Sequence, residues 1–330
     1  MSGLGIVIIG RNEGERLIRC LRSIDAEAEA VYVDSGSTDG SVEAARAMGL
    51  GVVALDMTRP FTAARARNAG RAALSPGVTL IQFVDGDCAI QPGWLDAARA
   101  ALAADAGLAA VFGRRREIAP EASRYNWLCD VEWAVPPGPA RYFGGDVMLR
   151  AAALDAAGGY PDEMIAGEEP DLALRLGARG WRVACLPREM TLHDAAISRF
   201  GQWWRRAVRS GHAFAELADR HGGDYRRRCR GVAFWGGAVP AAAALALAAG
   251  LFSGRGWVAG LGVAILLLPL LQLARLFLRE TRRRPAGEAM TLAVFLMLAK
   301  PAQLVGMGRY WRGRMGGRRS ALIEYKGGAA

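Results

Sequence analysis

The sequence predicts an α/β domain with a mostly parallel sheet flanked by helices, followed by a helical membrane region. Two observations indicate this architecture. Over the first 110 residues, short apolar runs alternate with segments of helical periodicity, which is typical of βαβ units whose parallel sheet is covered on both faces. In the last third, long uncharged stretches replace this alternation, and each is about long enough to cross a ~30 Å hydrocarbon core as a helix.

The first part of the predicted domain contains four strands, each followed by a helix. The strands are expected at residues 5–9, 30–33, 52–55 and 80–84. The helices are expected at residues 17–24, 42–48, 63–74 and 93–105. Because parallel strands end at one edge of a sheet, the polar segments after them should meet where open α/β folds bind ligands.

From about residue 110 to residue 200 the pattern is less regular, which indicates a mixed α+β second half. Short strands are expected at residues 109–112 and 181–186, and a proline-rich loop at 136–139. Helices are expected at residues 170–180 and, with an amphipathic pattern, at 200–217. The soluble domain is therefore predicted to span residues 1–225, and the membrane region residues 226–330.

The net charge of +10 is distributed unevenly along the chain. Residues 1–225 carry 25 Lys and Arg against 29 Asp and Glu, whereas residues 226–330 carry 17 against 3. Basic residues that flank apolar stretches are typical of a membrane with anionic lipid. A nucleic-acid-binding protein would carry them on a soluble face, so a membrane is the expected partner and nucleic acid is not.

Two apolar segments, at about residues 231–252 and 257–278, are predicted to be transmembrane helices. A run of arginines at 226–230 precedes the first, and another at 282–284 follows the second, whereas the link between them carries only Arg255. By the positive-inside rule, these helices should form a hairpin whose outer ends both lie in the cytoplasm. The protein is therefore expected in the inner membrane, multi-pass, with its soluble domain facing the cytoplasm.

A third apolar segment at about residues 288–308 is harder to place. It contains Lys300 and Pro301, and five arginines follow it. Full spanning would export these arginines, so a re-entrant or interfacial helix is expected, with a third spanning helix as the alternative.

The five cysteines are scattered, without a Cys-x-x-Cys pair. This pattern argues against a zinc site and a disulfide framework, and it fits a reducing compartment. The chain begins with a strand-like segment, so we expect no secretory signal.

Two carboxylates, Asp85 and Asp87, stand one residue apart after the apolar run at 80–84. Side chains at i and i+2 of a strand point to the same face, so both should converge at the ligand-binding edge. Converging carboxylates repel unless a cation lies between them, and Mg²⁺ or Mn²⁺ takes oxygen ligands of this kind. When such a pair stands alone, chance or a solvated turn explains most occurrences.

Three further polar segments fall at the same expected edge. They are Gly10-Arg11-Asn12-Glu13, Val33-Asp34-Ser35-Gly36-Ser37-Thr38-Asp39 and Ala66-Arg67-Asn68. Together with Asp85-Gly86-Asp87, and in this order, they resemble the motifs of family 2 glycosyltransferases, which have the GT-A nucleotide-sugar fold. The resemblance covers about residues 4–215. It implies a nucleotide-sugar donor and a divalent cation, Mn²⁺ or Mg²⁺.

The resemblance also implies roles for residues that bind the donor. Asn12, Glu13 and Asp34 should line the pocket for the base and ribose, although Asp34 is alternatively a capping carboxylate in a tight turn and Glu13 a charge at a helix N-terminus. Many relatives carry a second acid where Ser35 stands, which leaves the base contact open. Arg67 should lie near the nucleoside diphosphate, with pairing to a structural acid as the alternative.

Three residues are implied at the cation. Asp87 is the expected direct ligand, and Asp85 should approach the ribose or a water on the metal. His193, after a strand-like segment, stands where the family often has a histidine near the metal or diphosphate. A structural histidine is the alternative.

The catalytic residues are implied by two later motifs. Residues 143–149 resemble the family's Gly-Gly loop beside the donor sugar and acceptor, with Gly145 as a contact, and a β-turn is the plain alternative. Glu168 and Glu169 resemble the Glu-Asp motif that opens a helix, with Glu169 where Asp is usual. Glu169 is therefore the expected general base and Glu168 its neighbour, unless both only favour the helix N-terminus.

The resemblance thus implies an inverting, metal-dependent transfer of a sugar from a nucleotide sugar to a hydroxyl group. The membrane region favours a lipid-linked or cell-envelope glycan as the acceptor. Two other classes stay open at this point: a membrane-anchored nucleotide-binding protein without activity, and a nucleotidyltransferase. The segment Gly3-Leu4-Gly5 is too short for the glycine-rich loop that a nucleotidyltransferase usually has.

Overall fold

The computed structural model describes residues 3–24, 28–317 and 323. The chain divides into two compact units, Met1–Arg199 and Phe200–Ala330. The sequence placed the domain boundary at residue 225, where the charge changes sign. The unit boundary lies earlier because the helix Phe200–His221 packs against the last long helix of the second unit.

Four parallel strands form one half of the sheet in the first unit. They are β1 (Leu4–Gly10), β2 (Glu29–Asp34), β3 (Gly51–Ala54) and β4 (Leu80–Asp85). The helices after the first three are α1 (Glu15–Arg22), α2 (Ser41–Ala47) and α3 (Ala63–Ala73). The spatial order is β3-β2-β1-β4, with all pairs parallel. The predicted βαβ half is therefore confirmed.

The other half of the sheet is mixed. Its strands are β5 (Cys88–Ile90), β6 (Leu108–Glu117), β7 (Gly138–Ala140), β8 (Val147–Arg150) and β9 (Arg182–His193). β8 is antiparallel to both β4 and β6, whereas β6 and β9 are parallel, so β9 ends at the same sheet edge as β4. β5 and β7 pair antiparallel with β9. The prediction of a loop at residues 136–139 was wrong in part, because β7 begins at Gly138 and adds to β9.

The helices of this half are α4 (Trp94–Ala104), α5 (Arg124–Trp133), α6 (Ala151–Ala156) and α7 (Glu168–Ala178). The core lies between the sheet and these helices, and residues such as Ile6, Phe83 and Leu149 are fully buried. Burying large apolar side chains of this kind contributes about 1.5–3 kcal/mol each. This rigid sheet positions the loops at its carboxyl edge.

The described part of the second unit is helical. It contains α8 (Phe200–His221), α9 (Gly223–Ala233), a π-helical turn (Phe234–Ala238), α10 (Val239–Ser253), α11 (Gly256–Glu280) and α12 (Ala286–Met315). Among the described residues, three helices are long and apolar enough to cross a membrane, Gly223–Ser253, Gly256–Glu280 and Ala286–Met315. They contain the three apolar segments found in the sequence.

The third of these helices, α12, is continuous over 30 residues, although it contains Pro301. At 1.5 Å per residue its length is roughly 45 Å. A re-entrant segment would have to turn back within this stretch, and α12 does not. The interfacial and the spanning arrangements therefore remain.

Candidate active site

The two carboxylates after β4 belong to different clusters. β4 ends at Asp85, and the backbone N–H of Gly86 donates a hydrogen bond to the Ile9 carbonyl at 2.8 Å. The extended backbone therefore stops between the two acids, and the expectation that both side chains share one strand face does not hold. Asp85 faces two arginines, whereas Asp87 faces a histidine.

Asp87 and His193 form a buried pair at the ends of β4 and β9. The Nε2 atom of His193 lies 3.2 Å from Oδ2 of Asp87. The edge of the imidazole ring contacts Trp133 at 4.5 Å between centroids, and Nδ1 lies 3.8 Å from a carboxylate oxygen of Glu117. Burial lowers the pKa of His193 and so favours the neutral ring, which is the form that coordinates a metal.

These residues can hold a divalent cation. One ligand atom each from Asp87, Cys88 and His193 lies within 4.8 Å of the others, and all three residues are buried. Carboxylate oxygen and imidazole nitrogen are donors that Mn²⁺ accepts, whereas a thiol is a softer ligand. Asp85 belongs to a second such group, with Cys88 and Asp146. The ligand atoms thus fit a cation bound by Asp87 and His193. Asp85 belongs to the second group, which shares Cys88 with the first.

Arg67 occupies the centre of a buried ion cluster. Its guanidinium lies 3.0 Å from Asp85, 3.0 Å from Glu168 and 3.2 Å from Glu169. Arg67 is 2% exposed, and the three carboxylates raise its pKa against the effect of burial. It is therefore a permanent cation shared by three acids. Of the two expectations for Arg67, this structure shows the pairing with acids.

Glu168 and Glu169 open helix α7, as the sequence predicted. Gly167 occupies the N-cap in a left-handed conformation with φ of 88°, and both carboxylates reach Arg67. Burial, followed by repulsion from Glu168, raises the pKa of Glu169 to about 7. A carboxylate of this kind exchanges a proton near neutral pH, as a general base must.

Gly145 packs directly on this cluster. A Cβ atom added there would lie 2.6 Å from Nη2 of Arg67 and 2.6 Å from Oδ2 of Asp85. The backbone at this position therefore approaches the charged groups as only glycine can. β8 begins two residues later, at Val147. Residues 143–146 therefore lead directly into a strand, and residues 147–149 belong to it.

The predicted nucleotide-binding residues lie in the loops after β1 and β2. Asp34 is buried, and its Oδ2 accepts hydrogen bonds from the backbone N–H groups of Gly36 and Ser37, both at 2.9 Å. Oδ1 of Asn12 accepts a hydrogen bond from the Thr38 N–H at 2.7 Å. Asp34 therefore organises its own turn, in agreement with its alternative role, and Asn12 joins the two loops.

Glu13 has a local partner. Its carboxylate pairs with Arg16 at 3.0 Å, one turn further along. Glu13 therefore acts in this structure as a charge near the start of α1. The residues at the carboxyl edge form three neighbouring groups: the two loops with Asn12 and Asp34, the Arg67 cluster, and the Asp87–His193 pair.

Comparison with known families agrees with this geometry. The sequence model of glycosyl transferase family 2 matches residues 5–146, a segment that contains Asn12, Asp34, Arg67 and both acids after β4. Residues 5–146 form a domain of glycosyl transferase family 2. The mixed α/β sheet of the first unit, with β8 antiparallel between two parallel groups, agrees with the GT-A fold that the sequence predicted.

Two bacterial relatives share recognisable sequence with this glycosyltransferase. They are uncharacterized glycosyltransferases of Mycobacterium bovis and Mycobacterium tuberculosis, each 29% identical over 190 residues, which is 54% of this chain and 80% of the relative. A solved mannosyltransferase from Pyrobaculum calidifontis, in complex with GDP-Man and Mn²⁺, has the same fold, with a TM-score of 0.57. It is 23% identical, and the match covers 92% of this chain and 86% of that one.

Several site residues of this glycosyltransferase escaped the sequence analysis. Arg115 lies 2.9 Å from Asp146 and 3.4 Å from Asp85. Asp146, fully buried, accepts hydrogen bonds from the Thr191 hydroxyl at 2.6 Å and from the Asp85 backbone N–H at 3.0 Å. The Asp85 carboxylate thus contacts Arg67 through Oδ1 and Arg115 through Oδ2. Asp146 could have been found, because it directly follows the two glycines of the predicted loop. Arg115 could not, because a run of three arginines is also typical of a solvated surface.

Proposed function

We propose that this enzyme transfers a sugar from a nucleotide-sugar donor to a hydroxyl group of a lipid-linked or cell-envelope glycan, with inversion at the anomeric carbon and with a divalent cation. The observation that best supports the proposal is the Asp87–His193 pair at 3.2 Å, close in the fold to the cluster around Glu169. Transfer from a diphosphate-linked sugar has a poor nucleophile and a highly charged leaving group. A general base makes the hydroxyl a better nucleophile, and a cation stabilises the charged leaving group.

Asp87 and His193 are the residues that would hold Mn²⁺ or Mg²⁺. Such a cation supplies a Lewis acid that neutralises charge developing on the departing diphosphate. The complex of the Pyrobaculum calidifontis mannosyltransferase with GDP-Man and Mn²⁺ supports this assignment. Asp85 keeps a partly exposed carboxylate, with 28% of its side chain accessible, and is our candidate for the ribose or a water on the cation.

Glu169 is our candidate for the general base. With its pKa raised to about 7, it is ionised in a large fraction of molecules at neutral pH and basic enough to accept the proton of the attacking hydroxyl. Arg67 orients Glu169, because its guanidinium lies 3.2 Å from the Glu169 carboxylate. Glu168 holds Arg67 in place at 3.0 Å. A single displacement assisted by one base inverts the anomeric centre, and no covalent nucleophile is required.

The donor's nucleoside is proposed to bind over the loops that Asn12 joins. The backbone of these loops is fixed by hydrogen bonds between Asn12 and the residues 37–38. Asn12, Glu13 and Asp34 line this region, and Gly145 leaves room for the donor sugar beside Arg67 and Asp85. Preorganised loops of this kind bind a ligand without first having to be ordered.

The acceptor and the location follow from the second unit. Its long apolar helices favour a membrane protein whose acceptor is presented at the lipid surface. Arginines at 226–230 and 282–284 flank the first two spans, and the positive-inside rule places both flanks in the cytoplasm. We therefore propose a multi-pass protein of the inner membrane whose transferase unit faces the cytoplasm.

The proposal is tested with the full chain purified in detergent or nanodiscs. Nucleotide sugars with different bases, GDP-Man and UDP-Glc among them, are supplied with Mn²⁺ and a membrane lipid extract, and the released nucleoside diphosphate and the glycosylated lipid are both measured. We expect turnover with one donor class, loss of turnover on chelation, and its return with Mn²⁺. The anomeric configuration of the product, read by NMR, should be opposite to that of the donor.

Matched variants make the test specific. Asp87→Asn and Glu169→Gln should each lower turnover at least about 100-fold. Asp96→Asn and Glu121→Gln, both exposed and remote from the cluster, should behave like the wild type. Near-normal turnover of either site variant, or retention of the donor configuration, would contradict the proposed roles.

A further inference from the structure

Helices α8 and α12 lie side by side and run in the same direction. Trp203 packs edge-on against Phe295 with 4.8 Å between ring centroids. Farther along both helices, the Tyr310 hydroxyl donates a hydrogen bond to Asp219 at 2.6 Å, and Arg314 donates another to the same carboxylate at 3.3 Å. The partners advance together along the chain, so the helices are parallel over most of α8 and the second two-thirds of α12.

The backbones of the two helices are in contact between these points. A Cβ atom at Gly211 would overlap the carbonyl oxygen of Gln303, and one at Gly306 would overlap the carbonyl oxygen of Val208. Contacts this close leave no room for lipid between the helices. The two helices must therefore lie at a similar depth relative to the membrane.

Helix α8 does not belong in the hydrocarbon core. In 22 residues it carries six ionisable residues besides its histidines: Arg205, Arg206, Arg209, Glu216, Asp219 and Arg220. Charged side chains at the bilayer centre are costly, and they are rare in transmembrane segments. The part of α12 from Phe295 to Arg314 must therefore also stay outside the core.

A second contact places the middle of α12 at the membrane surface. A Cβ atom at Gly236 would lie 2.5 Å from the carbonyl oxygen of Lys300, so α12 crosses the first candidate span at its π-helical turn. Phe234 and Trp235 belong to this turn, and aromatic residues are enriched at membrane–water interfaces. The 15 residues of α10 continue from there, so the crossing lies at the entrance to the core.

The outer face of α12 fits a lipid surface. Met290, Leu298 and Val305 are 42%, 40% and 44% exposed and lie on one side of the helix. Arg309 and Arg312 continue the same side toward the C-terminus and are exposed. An apolar stripe followed by cations is typical of helices that lie in the interface and contact anionic lipid.

We infer that α12, although long and apolar enough to span, lies in the plane of an anionic membrane surface together with α8. Met290, Leu298 and Val305 face the acyl chains, and Arg309 and Arg312 face the headgroups. The chain then spans the bilayer twice, and residue 315 is on the same side as residue 226. The inference rests on the membrane attachment proposed above, through the first two candidate spans.

Depth measurements test this arrangement. Nitroxide labels are placed by Met290→Cys, Leu298→Cys and Val305→Cys in a Cys229→Ala background, because the other four cysteines are buried. The protein is reconstituted in vesicles of phosphatidylethanolamine and phosphatidylglycerol. Leu267→Cys, at an exposed site midway along α11, provides the reference for a spanning helix.

We expect the three α12 labels at one shallow depth, about 5–10 Å below the headgroups, and the Leu267 label near the bilayer centre, roughly 15 Å deep. A Leu298 label as deep as the Leu267 label would overturn the inference in favour of a third span. Labels that only aqueous quenchers reach, or spin coupling between two copies, would overturn it as well. A shallow Leu267 label would refute the membrane attachment itself, and transferase assays report separately on the catalytic proposal.

Labelling of cells with a membrane-impermeant maleimide gives a second answer. Met315→Cys should be labelled only after the cells are permeabilised, like Arg226→Cys before the first span. Ser253→Cys, at the last residue of the first candidate span, should be labelled in intact cells. Labelling of residue 315 in intact cells would show that α12 crosses the membrane.

Discussion

The guanidinium group of Arg67 lies 3.2 Å from the carboxylate of Glu169, measured from Nη1 to Oε1, inside a buried cluster. The same arginine also pairs with Glu168 and Asp85. Burial, followed by repulsion from Glu168, raises the pKa of Glu169 to about 7, although the charge of Arg67 acts in the opposite direction. This one arrangement explains both the position and the basicity of the proposed base.

Replacing Glu169 by glutamine removes the base but keeps the shape of the side chain. We expect kcat to fall by about 10²–10⁴-fold, the usual contribution of general base catalysis, with little change in the KM for the donor. Steady-state kinetics at saturating acceptor measure both constants. A variant that loses donor binding while keeping kcat would assign Glu169 to the donor instead.

The pH dependence of the wild type should report the same residue. A base with a pKa of about 7 is protonated below that pH, so kcat should fall about tenfold per pH unit on the acid side. The acid limb should disappear in Glu169→Gln and persist in Glu121→Gln. An unchanged limb in Glu169→Gln would mean that another group controls it.

Glu169 should also make stability depend on pH. Its pKa in the folded state, about 7, lies above the ordinary value of 4.5, so between these values the folded protein holds a proton that the unfolded chain has lost. Stability from this group is therefore present below about pH 4.5 and is lost as the pH rises to 7. The unfolding temperature of the wild type should decrease relative to Glu169→Gln over that range, and the opposite trend would contradict the raised pKa.

Arg67→Met should destabilise the first unit strongly. The change removes the cation that buried Glu168 shares with the partly exposed Glu169 and Asp85, and breaking a buried ion pair costs about 3–5 kcal/mol. Arg71→Met, one turn along α3, removes a pair with the exposed carboxylate of Asp155, worth about 0–1 kcal/mol. Thermal unfolding should show a decrease of roughly 10 °C for the first variant and little change for the second.

Equal unfolding temperatures for the two arginine variants would contradict the buried cluster. Asp85→Asn in the Arg67→Met background supplies a further check. Because it removes one of the unbalanced charges, it should restore part of the lost stability.

Two adjacent glycines provide a matched test of the site geometry. Gly145→Ala places a methyl group 2.6 Å from both Arg67 and Asp85, whereas a Cβ at Gly144 meets nothing within 4 Å. We expect Gly145→Ala to lower kcat/KM for the donor at least about tenfold, because a misplacement near 1 Å in an active site can cost far more. Gly144→Ala should remain near the wild type, and equal effects would mean that close packing at Gly145 is unimportant.

The sequence predicted the parallel half of the fold well, because strands buried on both faces are continuous apolar runs and the helices between them are periodic. β5 and β7 have three residues each, too few for a periodic signal. Helix α5 has almost no separation of polar and apolar faces around Leu128, so periodicity could not reveal it. β5 and β7 form because each pairs with β9, and that pairing partner exists only in the folded sheet.

The candidate site, like the fold, could be predicted only in part. The predicted parallel topology placed Asp85 and Asp87 at one sheet edge, and the family resemblance implied Glu169 and Gly145. The contacts between these residues could not be predicted from the sequence. Arg67 pairs with carboxylates of α7, about 100 residues further along the chain. Glu117 approaches His193 only because β6 and β9 pair. Contacts between distant elements decide whether an arginine binds a diphosphate or an acid, and no local pattern records them.

Binding of Mn²⁺ to the purified full chain tests the central proposal most directly, because the cation site at Asp87 and His193 is the basis of the mechanism. Electron paramagnetic resonance of free Mn²⁺, with the nucleoside diphosphate of the active donor present, gives affinity and stoichiometry without turnover. We predict one site per chain in the wild type and in Asp96→Asn, weakened by more than about tenfold in His193→Ala and further in Asp87→Asn. Wild-type affinity in both site variants would contradict the account.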